Sequence, residues 1–425
     1  MTVPATPDPG GLAATGTPFP LEQVRPRYGA QSLADVMPSA LAVLGVPGAA
    51  DPLGLVGPLA GVRRLAVLLV DGLGWHQIPL AAPYAPTLAE LAASHGRPLT
   101  SGFPSTTPTS VVSLGTGAAP GNHGVLGFRV NVPGTDRVLT HIRWAGPGPR
   151  GLDAPTAADI DAGSAGAVPA PADPEPRLWQ PLPTQFELAR AAGVTVTVVS
   201  RPEYAGSGLT TAAYSGGDYR PAVDRHALAA EMLAALTAGP GPVLVSGYHP
   251  DLDQQGHLAG VDSEPWRQAA TEVDRLVAHL VDGLPDDGAL LVTADHGQLN
   301  VPAEHRFDLD ADPRLRAGVR VVAGEPRVRY LHVEPGARDD VVAAWREVLG
   351  PAAWVATRDE AVAAGWFGPV PESHLARVGD VVVACHDTYV VLASRTDSPM
   401  EARLIGFHGS YTAAEMTIPL LVVRG

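Results

Sequence analysis

The sequence predicts an α/β protein with a mostly parallel central sheet and helices on both faces. Helical and strand patterns alternate along much of the 425-residue chain. The strand patterns, such as VTVTVVS and ALLVT, are nearly continuous apolar runs, which is typical of strands buried on both faces of a parallel sheet. With 45% hydrophobic residues, the chain can form one large domain or a main domain with an insertion.

The predicted elements follow one another along residues 31–425. Helices are predicted at 31–46, 85–96, 183–193, 226–239, 265–284 and 338–350. Strands are predicted at 65–71, 194–200, 242–249, 289–297, 319–324, 328–334, 378–394 and 417–425.

Three segments depart from this alternation. Residues 1–30 are rich in Pro, Gly and Thr and predict a flexible N-terminal lead-in. Residues 145–182 are similarly rich in Pro and Gly and predict a surface loop or insertion. Residues 305–400 mix short strands with helices, so we expect a cap or inserted subdomain there.

Charge and composition exclude several classes of protein. The formal net charge is −15, whereas a nucleic-acid groove needs clustered positive charge, so none is expected. All 29 basic residues are arginine, which excludes a phosphate-loop lysine and a Schiff-base lysine. Cys385 is the only cysteine, so intrachain disulfides and cysteine-rich zinc sites are excluded as well.

The N-terminus and the hydropathy pattern favour a protein that does not enter membranes. The first residues, MTVPATPDPGG, have neither a basic start nor an apolar core, so no secretory signal is predicted. No uninterrupted apolar stretch reaches the roughly 18–20 residues that a membrane helix needs. We therefore expect a soluble, cytoplasmic protein; its oligomeric state does not follow from the sequence.

Five short segments carry residue types that suit a metal-dependent active site. They are LAVLLVDGLG with Asp71, FPSTTPTS with Thr106 and Thr107, DLDQQGH with Asp253 and His257, TADHG with Asp295 and His296, and GFHGSY with His408. Three of the segments follow predicted strands at their C-terminal ends, where loops form the ligand crevice of open α/β sheets. One such segment alone is a turn or a helix cap as readily as a ligand, but their agreement in type and location favours a metal site.

The ligand types also predict the metal. Carboxylate and imidazole donors without thiolates suit zinc, with manganese and iron as alternatives. The acids and histidines provide enough ligands for two ions. Paired ions about 4 Å apart would clamp the attacking and leaving oxygens of an in-line phosphoryl transfer.

Thr107 is the candidate nucleophile. With Pro108 at the first helical position, Thr107 is predicted to be the N-cap of a helix. The free amides and partial positive charge of a helix N-terminus stabilise both an alkoxide and a bound phosphate, and metal coordination would lower the pKa of the hydroxyl. Two alternatives stay open: Thr107 only caps the helix, or Thr106 is the nucleophile.

These segments resemble the alkaline phosphatase superfamily, and within it the type I phosphodiesterase/nucleotide pyrophosphatase family. The matching stretches are LAVLLVDGLG, FPSTTPTSVVSLGTGAAPGNHGVLGF, GYHPDLDQQGH, TADHG and GFHGSYTAAEMTIPLLV, in the family's order. The resemblance implies an alkaline-phosphatase-like fold, with 31–425 as the catalytic domain and 305–400 as a cap or insertion within it.

The resemblance also implies roles for individual residues. One zinc ion would be held by Asp253, His257 and His408, and the other by Asp71, Asp295, His296 and Thr107. Thr107 would attack phosphorus and form a phospho-threonine intermediate, which metal-activated water would hydrolyse. The family usually has phenylalanine after its nucleophile, whereas this chain has Pro108, so the aromatic that helps to hold a nucleobase is missing there.

The implied activity is that of a phosphodiesterase or nucleotide pyrophosphatase acting on a small phosphorylated substrate. A phosphomonoesterase and a phosphonate hydrolase of the same superfamily share the ligand set and are the enzymatic alternatives. The non-enzymatic alternative is a catalytically silent homologue that binds metal or ligand.

Overall fold

The computed structural model describes residues 19–145 and 173–425, and the structural statements below concern these residues. Their strands are β1 (Arg64–Val70), β2 (Gly96–Thr100), β3 (Arg129–Asn131), β4 (Val138–Thr140), β5 (Thr195–Ser200), β6 (Asp218–Pro221), β7 (Val243–His249), β8 (Gly288–Thr293), β9 (Leu299–Asn300), β10 (Arg306–Asp308), β11 (Val319–Glu325), β12 (Val328–Val333), β13 (Ala353–Thr357), β14 (Val381–Cys385), β15 (Val390–Leu392), β16 (Gly406–Phe407) and β17 (Thr417–Arg424).

The α-helices of the same residues alternate with these strands over much of the chain. They are α1 (Val36–Val43), α2 (Ile78–Ala81), α3 (Pro86–His95), α4 (Thr107–Thr116), α5 (Pro120–His123), α6 (Pro176–Trp179), α7 (Gln185–Ala191), α8 (Gly208–Tyr214), α9 (Arg225–Leu236), α10 (Asp251–Ala259), α11 (Glu264–Asp282), α12 (Pro313–Arg316), α13 (Arg338–Leu349), α14 (Arg358–Ala363), α15 (Glu372–Leu375) and α16 (Ala413–Met416).

A seven-stranded sheet forms the centre of the fold, in the order β2-β17-β8-β1-β7-β5-β6. The β1, β5, β6, β7 and β8 strands pair in parallel, whereas β17 is antiparallel to both of its neighbours. Every residue of β8 is buried, as is all of β1 except its first residue, so the apolar runs in the sequence lie at the middle of the sheet. The predicted fold class, α/β with a mostly parallel central sheet, is confirmed.

Local capping fixes the start of several helices that pack around this sheet. The Thr184 hydroxyl and the Glu187 carboxylate form a capping box at α7. Asp224 accepts from Ala227 N at the start of α9, and Ser263 accepts from Trp266 N at the start of α11. These side chains satisfy N–H groups that have no partner within the helix, so each helix begins where the sequence provides a cap.

A second, smaller sheet occupies part of the region predicted to be a cap. It has the order β11-β12-β14-β13, is antiparallel, and packs with α13 around its own apolar cluster, which includes Trp345. A fully buried ion pair, Arg327 Nη2 to Glu415 Oε2 at 2.6 Å, joins this sheet to the C-terminal segment. Whether 305–400 acts as a cap stays a prediction.

The structure describes only part of the predicted N-terminal lead-in and of the second Pro/Gly-rich stretch. Residues 1–18 of the predicted lead-in and 146–172 of the second Pro/Gly-rich stretch lie outside the described residues. Within 19–30, Phe19 is buried, Val24 N donates to Tyr411 O, and the Tyr28 hydroxyl donates to Trp366 O. None of the helices that the structure describes has the length and apolar character required to cross a membrane. The cytoplasmic location stays a prediction.

Candidate active site

Three adjacent strands bring four of the predicted ligands to one edge of the central sheet. β1 lies between β7 and β8 and is parallel to both, so their C-terminal ends meet. Asp71 follows β1, Asp295 and His296 follow β8, and α10, which carries Asp253, begins two residues after β7. Gly72 N donates to Asp295 Oδ1 at 3.1 Å, which ties the first and last of these loops together.

The first candidate metal group consists of Asp253, His257 and His408. Asp253 and His257 are four residues apart on α10 and therefore share one helical face, with His257 Nε2 3.2 Å from Asp253 Oδ2. His408 follows β16, and its Nε2 lies 3.1 Å from His257 Nε2. The ligand atoms of the three side chains all lie within 4.8 Å of one another, which fits a single ion.

The second candidate group consists of Asp71, His296 and Asp253. His296 Nε2 lies 3.5 Å from Asp71 Oδ1 and 3.3 Å from Asp295 Oδ2. Asp253 therefore belongs to both groups, whereas the resemblance assigned it to the first ion alone. The rings of His296 and His408 stack at 3.5 Å between centroids, so the two groups are directly adjacent.

Several oxygen and nitrogen atoms in and beside the two groups are placed to bind metal ions. Asp71 Oδ1 and Asp295 Oδ2 are buried without a hydrogen bond, an arrangement that is costly unless a ligand satisfies the oxygen. The Nδ1 atoms of His257, His296 and His408 are each within hydrogen-bonding distance of a backbone carbonyl oxygen. When Nδ1 carries the proton, Nε2 has its lone pair free, which is how proteins orient histidine for a metal.

The pKa values of the site aspartates reflect the close approach of several carboxylates. Burial raises the pKa of Asp71 well above its usual range, and the carboxylates of Asp295 and Asp253 raise it further. Burial also opposes ionisation of Asp253, but the neighbouring imidazoles, His257 first, outweigh it and hold its pKa below the usual range. Divalent cations would relieve the repulsion between these carboxylates.

Thr107 lies at the start of α4, beside the second group. Its Oγ1 is 3.4 Å from Asp71 Oδ2 and 3.2 Å from His296 Nε2. The predicted N-cap was one residue off: Thr106 has the extended backbone of an N-cap, and Thr107 is the first helical residue. The reason is that Thr106 O already accepts from Ser110 N, the first bond of the helix, while proline is tolerated anywhere in the first turn.

Sequence reasoning missed three polar side chains at the site. The Tyr248 hydroxyl donates to Asp71 Oδ2, and Gln298 Nε2 donates to Asp253 Oδ1 at 3.0 Å. Both lie next to predicted strand ends, which was the one available signal. Glu325 ends β11 in the smaller sheet and borders the same cavity as Thr107; no local pattern in the sequence connects it to the site.

Glu325 is expected to make the folded protein less stable as pH rises. Burial raises its pKa to about 8, which the Thr106 hydroxyl and the Arg129 guanidinium only partly offset. Between the ordinary value of 4.5 and about 8, the folded state holds a proton that the unfolded chain has lost, so the free energy of unfolding falls with pH over that window.

Melting temperatures of the wild type and of Glu325→Gln, measured from pH 5 to pH 9, check this expectation. The wild-type melting temperature should fall more steeply than that of the variant. Glu334→Gln, at an exposed position after β12, is the matched control and should follow the wild type. Parallel curves for wild type and Glu325→Gln would contradict the expectation.

A cavity of about 660 Å³ opens next to these residues. Asp71, Thr107, Asp253, His257 and His408 line one part of it. Aromatic and acidic side chains line much of the remainder, including Phe128, Tyr204, Tyr214, Tyr219, Tyr248, Glu203, Glu325 and Glu401. The candidate metal groups and the threonine therefore face a space large enough for a small organic ligand.

This chain is similar to one family profile and to several solved structures. The sequence profile described as type I phosphodiesterase/nucleotide pyrophosphatase matches residues 65–411. A search of curated protein sequences finds no significant match. Among solved structures, murine ectonucleotide pyrophosphatase/phosphodiesterase 5 is similar with a TM-score of 0.65 and 18% identity, covering 85% of this chain and 88% of that chain.

Two further solved structures extend the comparison. An inactive variant of the same murine protein, solved in complex with AMP, also has a TM-score of 0.65 and 18% identity, covering 85% of this chain and 88% of that chain. Phosphonoacetate hydrolase from Sinorhizobium meliloti 1021, solved with phosphonoacetate, has a TM-score of 0.60 and 19% identity, covering 86% of this chain and 91% of that chain. At such identities the likeness establishes the fold.

Proposed function

Because this chain belongs to the type I phosphodiesterase/nucleotide pyrophosphatase family, we propose that it hydrolyses phosphodiesters with Thr107 as the nucleophile and two zinc ions as cofactors. Its membership makes it a phosphoric ester hydrolase, and enzymes of this family are metal-dependent, in general with two ions. The nucleophile, the identity of the metal and the preference for diesters are the proposed parts.

The position of Thr107 carries the proposal. Its hydroxyl lies within 3.4 Å of both Asp71 Oδ2 and His296 Nε2, at the N-terminus of α4 and at the wall of the cavity. A hydroxyl among metal-ligand side chains is placed for activation without a separate general base. The N–H groups of Thr107 and Thr109 in the first turn of α4 have no helical partner, since only later residues donate within the helix and Pro108 has no N–H, so these two amides are available to an anionic phosphoryl oxygen.

The metal ligands would divide around Asp253. Asp253, His257 and His408 would hold one ion, while Asp71, Asp295, His296 and Thr107 would hold the other, with Asp253 close enough to contact both. Bound ions would supply Lewis acidity and would offset the charge that develops on the phosphoryl oxygens. The unpaired oxygens of Asp71 and Asp295 support this assignment.

The reaction follows as two displacements at phosphorus. In the first, Thr107 Oγ forms a bond to phosphorus, the bond from phosphorus to the leaving alcohol oxygen breaks, and the threonine proton ends on the alcohol. In the second, a water oxygen bonds to phosphorus, the bond from phosphorus to Thr107 Oγ breaks, and the threonine regains a proton. The products are an alcohol and a phosphate monoester.

A comparison of two chromogenic esters tests the proposal. Zinc-loaded protein, with its metal content measured, is assayed on bis(p-nitrophenyl) phosphate and on p-nitrophenyl phosphate. We expect two bound ions per chain and a higher kcat/KM for the diester, because the cavity beyond the phosphate can hold a second ester group. A dominant rate on the monoester would instead identify a phosphomonoesterase, and a metal-loaded protein that cleaves neither ester would overturn the proposal.

A further inference from the structure

We propose that Gln298 is a positioning residue, whose side-chain amide holds the Asp253 carboxylate in the orientation in which its oxygens face both candidate metal groups. This role rests on the proposed function, because it concerns how two bound ions would share one ligand. Gln298 follows Asp295 and His296 in the loop after β8 and is fully buried. It is not among the described residues that line the cavity. Gln298 therefore acts through Asp253 and not on the substrate.

The contact between the two side chains is direct. Gln298 Nε2 donates to Asp253 Oδ1 at 3.0 Å, and the backbone oxygen of Asp253 lies 3.4 Å from the same nitrogen. Both of these oxygens only accept hydrogen bonds, so the amide must present its nitrogen to them and not its oxygen. Apart from the imidazoles of the candidate groups, no other group of the described residues donates to this carboxylate. The amide bond thus stays with Asp253 when the imidazoles bind metal.

This hydrogen bond fixes the rotation of the carboxylate between the two groups. Asp253 Oδ2 lies 3.2 Å from His257 Nε2, in the first group. Asp253 Oδ1 lies on the side of the second group, since a Cβ atom on Gly72, next to Asp71, would be 3.1 Å from it. An ionised carboxylate oxygen accepts about two partners, so Oδ1 can take the amide and still face an ion. The amide is neutral and adds no positive charge that would repel a cation.

Two neighbouring backbones leave just enough room for the Gln298 amide. A Cβ atom on Gly256, which lies on α10 between the two ligands of that helix, would be 1.7 Å from Gln298 Oε1. A Cβ atom on Gly406, in β16, would be 3.0 Å from Gln298 Cδ. Glycine inside a helix is destabilising relative to alanine. Its presence in the middle of α10 is explained by the space that the amide occupies.

The backbone of Gln298 is anchored as well. Gln77, at the end of the 3-10 helix Trp75–Gln77 that follows the Asp71 loop, is fully buried. Its Nε2 donates to the backbone oxygen of Gln298 at 2.5 Å and to that of Ala414 at 3.3 Å. With its backbone bonded on one side and its amide enclosed on the other, Gln298 has little freedom to reorient, which a residue that positions a ligand requires.

Gln298→Met tests the proposal, because methionine has a similar length but no N–H to donate. Zinc-loaded full-length protein is dialysed against increasing concentrations of a competing chelator, and the zinc retained per chain is measured. We expect the variant to bind both ions roughly tenfold more weakly than wild type, since loss of a partner that orients a metal ligand typically weakens binding by about 10–100-fold. If the amide only fills space, methionine should preserve the zinc affinities.

Gln180→Met is the matched control. Gln180 is also fully buried, and its Nε2 donates only to the backbone oxygens of Leu182 and Ala212. This variant should lower the melting temperature but keep wild-type zinc affinities. Kinetics on bis(p-nitrophenyl) phosphate at saturating zinc give a second readout: for Gln298→Met, kcat should fall by roughly tenfold while KM changes by less than about twofold, because Gln298 contacts no substrate.

A substitution on the opposite side of the contact shows whether the effect passes through the amide. Gly256→Ala places a methyl group where Gln298 Oε1 lies, so it should weaken both zinc sites as Gln298→Met does. The three atoms nearest to that methyl group all belong to Gln298. In a Gln298→Ala background, Gly256→Ala should therefore add little further loss. Additive losses would contradict the proposal, because the methyl group would then act without the amide.

The outcomes separate this inference from the proposed function. Wild-type zinc affinities in Gln298→Met, or a loss confined to one ion, would overturn the positioning role and leave phosphodiester hydrolysis intact. If wild-type protein binds two ions but cleaves neither p-nitrophenyl ester, the proposed function is wrong, and the zinc affinities alone still decide the role of Gln298. If wild-type protein binds no zinc, both are wrong.

Discussion

Replacing Thr107 with alanine is expected to lower kcat for phosphodiester hydrolysis by roughly 10⁴-fold, because removing the nucleophile of a covalent mechanism leaves only binding and electrostatic effects. The hydroxyl that is lost is the one that lies 3.2 Å from His296 Nε2 and 3.4 Å from Asp71 Oδ2. Thr107→Ser keeps a hydroxyl and should retain much more activity than Thr107→Ala. Steady-state kinetics on bis(p-nitrophenyl) phosphate measure all three proteins.

Thr106→Ala is the matched control, and it also decides between the two threonines. Thr106 Oγ1 is buried beside Glu325 and makes no hydrogen bond to any of the candidate metal ligands. We expect Thr106→Ala to remain active, and wild-type protein acid-quenched during turnover of bis(p-nitrophenyl) phosphate to carry one p-nitrophenyl phosphoryl group on Thr107 by peptide mass mapping. A p-nitrophenyl phosphoryl group on Thr106, or full activity of Thr107→Ala, would contradict the assignment.

The positions of the ligand segments were predictable from the sequence for a geometric reason. Parallel strands place their C-terminal ends at one edge of a sheet, so an acid after one strand and an acid–histidine pair after another must lie close together. The structure has this arrangement for Asp71, Asp295 and His296, which follow neighbouring strands. The spacing of Asp253 and His257 on one helical face is equally local and could be recognised from the sequence.

What the sequence did not predict depends on contacts between distant segments. Tyr248 was assigned to a strand end, but its bond to Asp71 depends on the register between β7 and β1. Glu325 reaches the cavity because the smaller sheet packs against the C-terminal segment through the ion pair of Arg327 and Glu415. The shift of the N-cap from Thr107 to Thr106 reflects a single backbone hydrogen bond, which residue preferences do not resolve.

The sequence also did not predict that Asp253 belongs to both candidate metal groups. The family resemblance assigned each ligand to one ion, whereas the oxygens of Asp253 lie within 4.8 Å of ligand atoms in both groups. Asp253 Oδ2 is 3.2 Å from His257 Nε2, and Asp253 Oδ1 is 3.8 Å from His408 Nε2. Which ions an aspartate can bind depends on the position of its side chain. For Asp253, that position follows from the contacts of α10 with the loops after β8 and β16.

Replacing Asp253 with asparagine is therefore expected to reduce the content of both metal ions, not of one. The variant removes a carboxylate charge from each group and leaves the facing imidazoles of His257 and His408 without their anionic partner. His257→Ala, which alters the first group alone, should lower the content of one ion and leave the other. Metal content by mass spectrometry after dialysis measures the difference, with kcat expected to fall by at least about 10³-fold in Asp253→Asn.

A matched control tests whether removing any carboxylate near α10 lowers the metal content. Asp262 is half-buried, is paired with Arg267 and lies outside both groups, so Asp262→Asn should keep two ions and wild-type activity. Melting curves with and without added zinc give a readout independent of activity: zinc should raise the melting temperature of wild type and of Asp262→Asn, but have little effect on Asp253→Asn. If Asp253→Asn and His257→Ala each retain one ion per chain, Asp253 binds a single metal ion and the dual role is wrong.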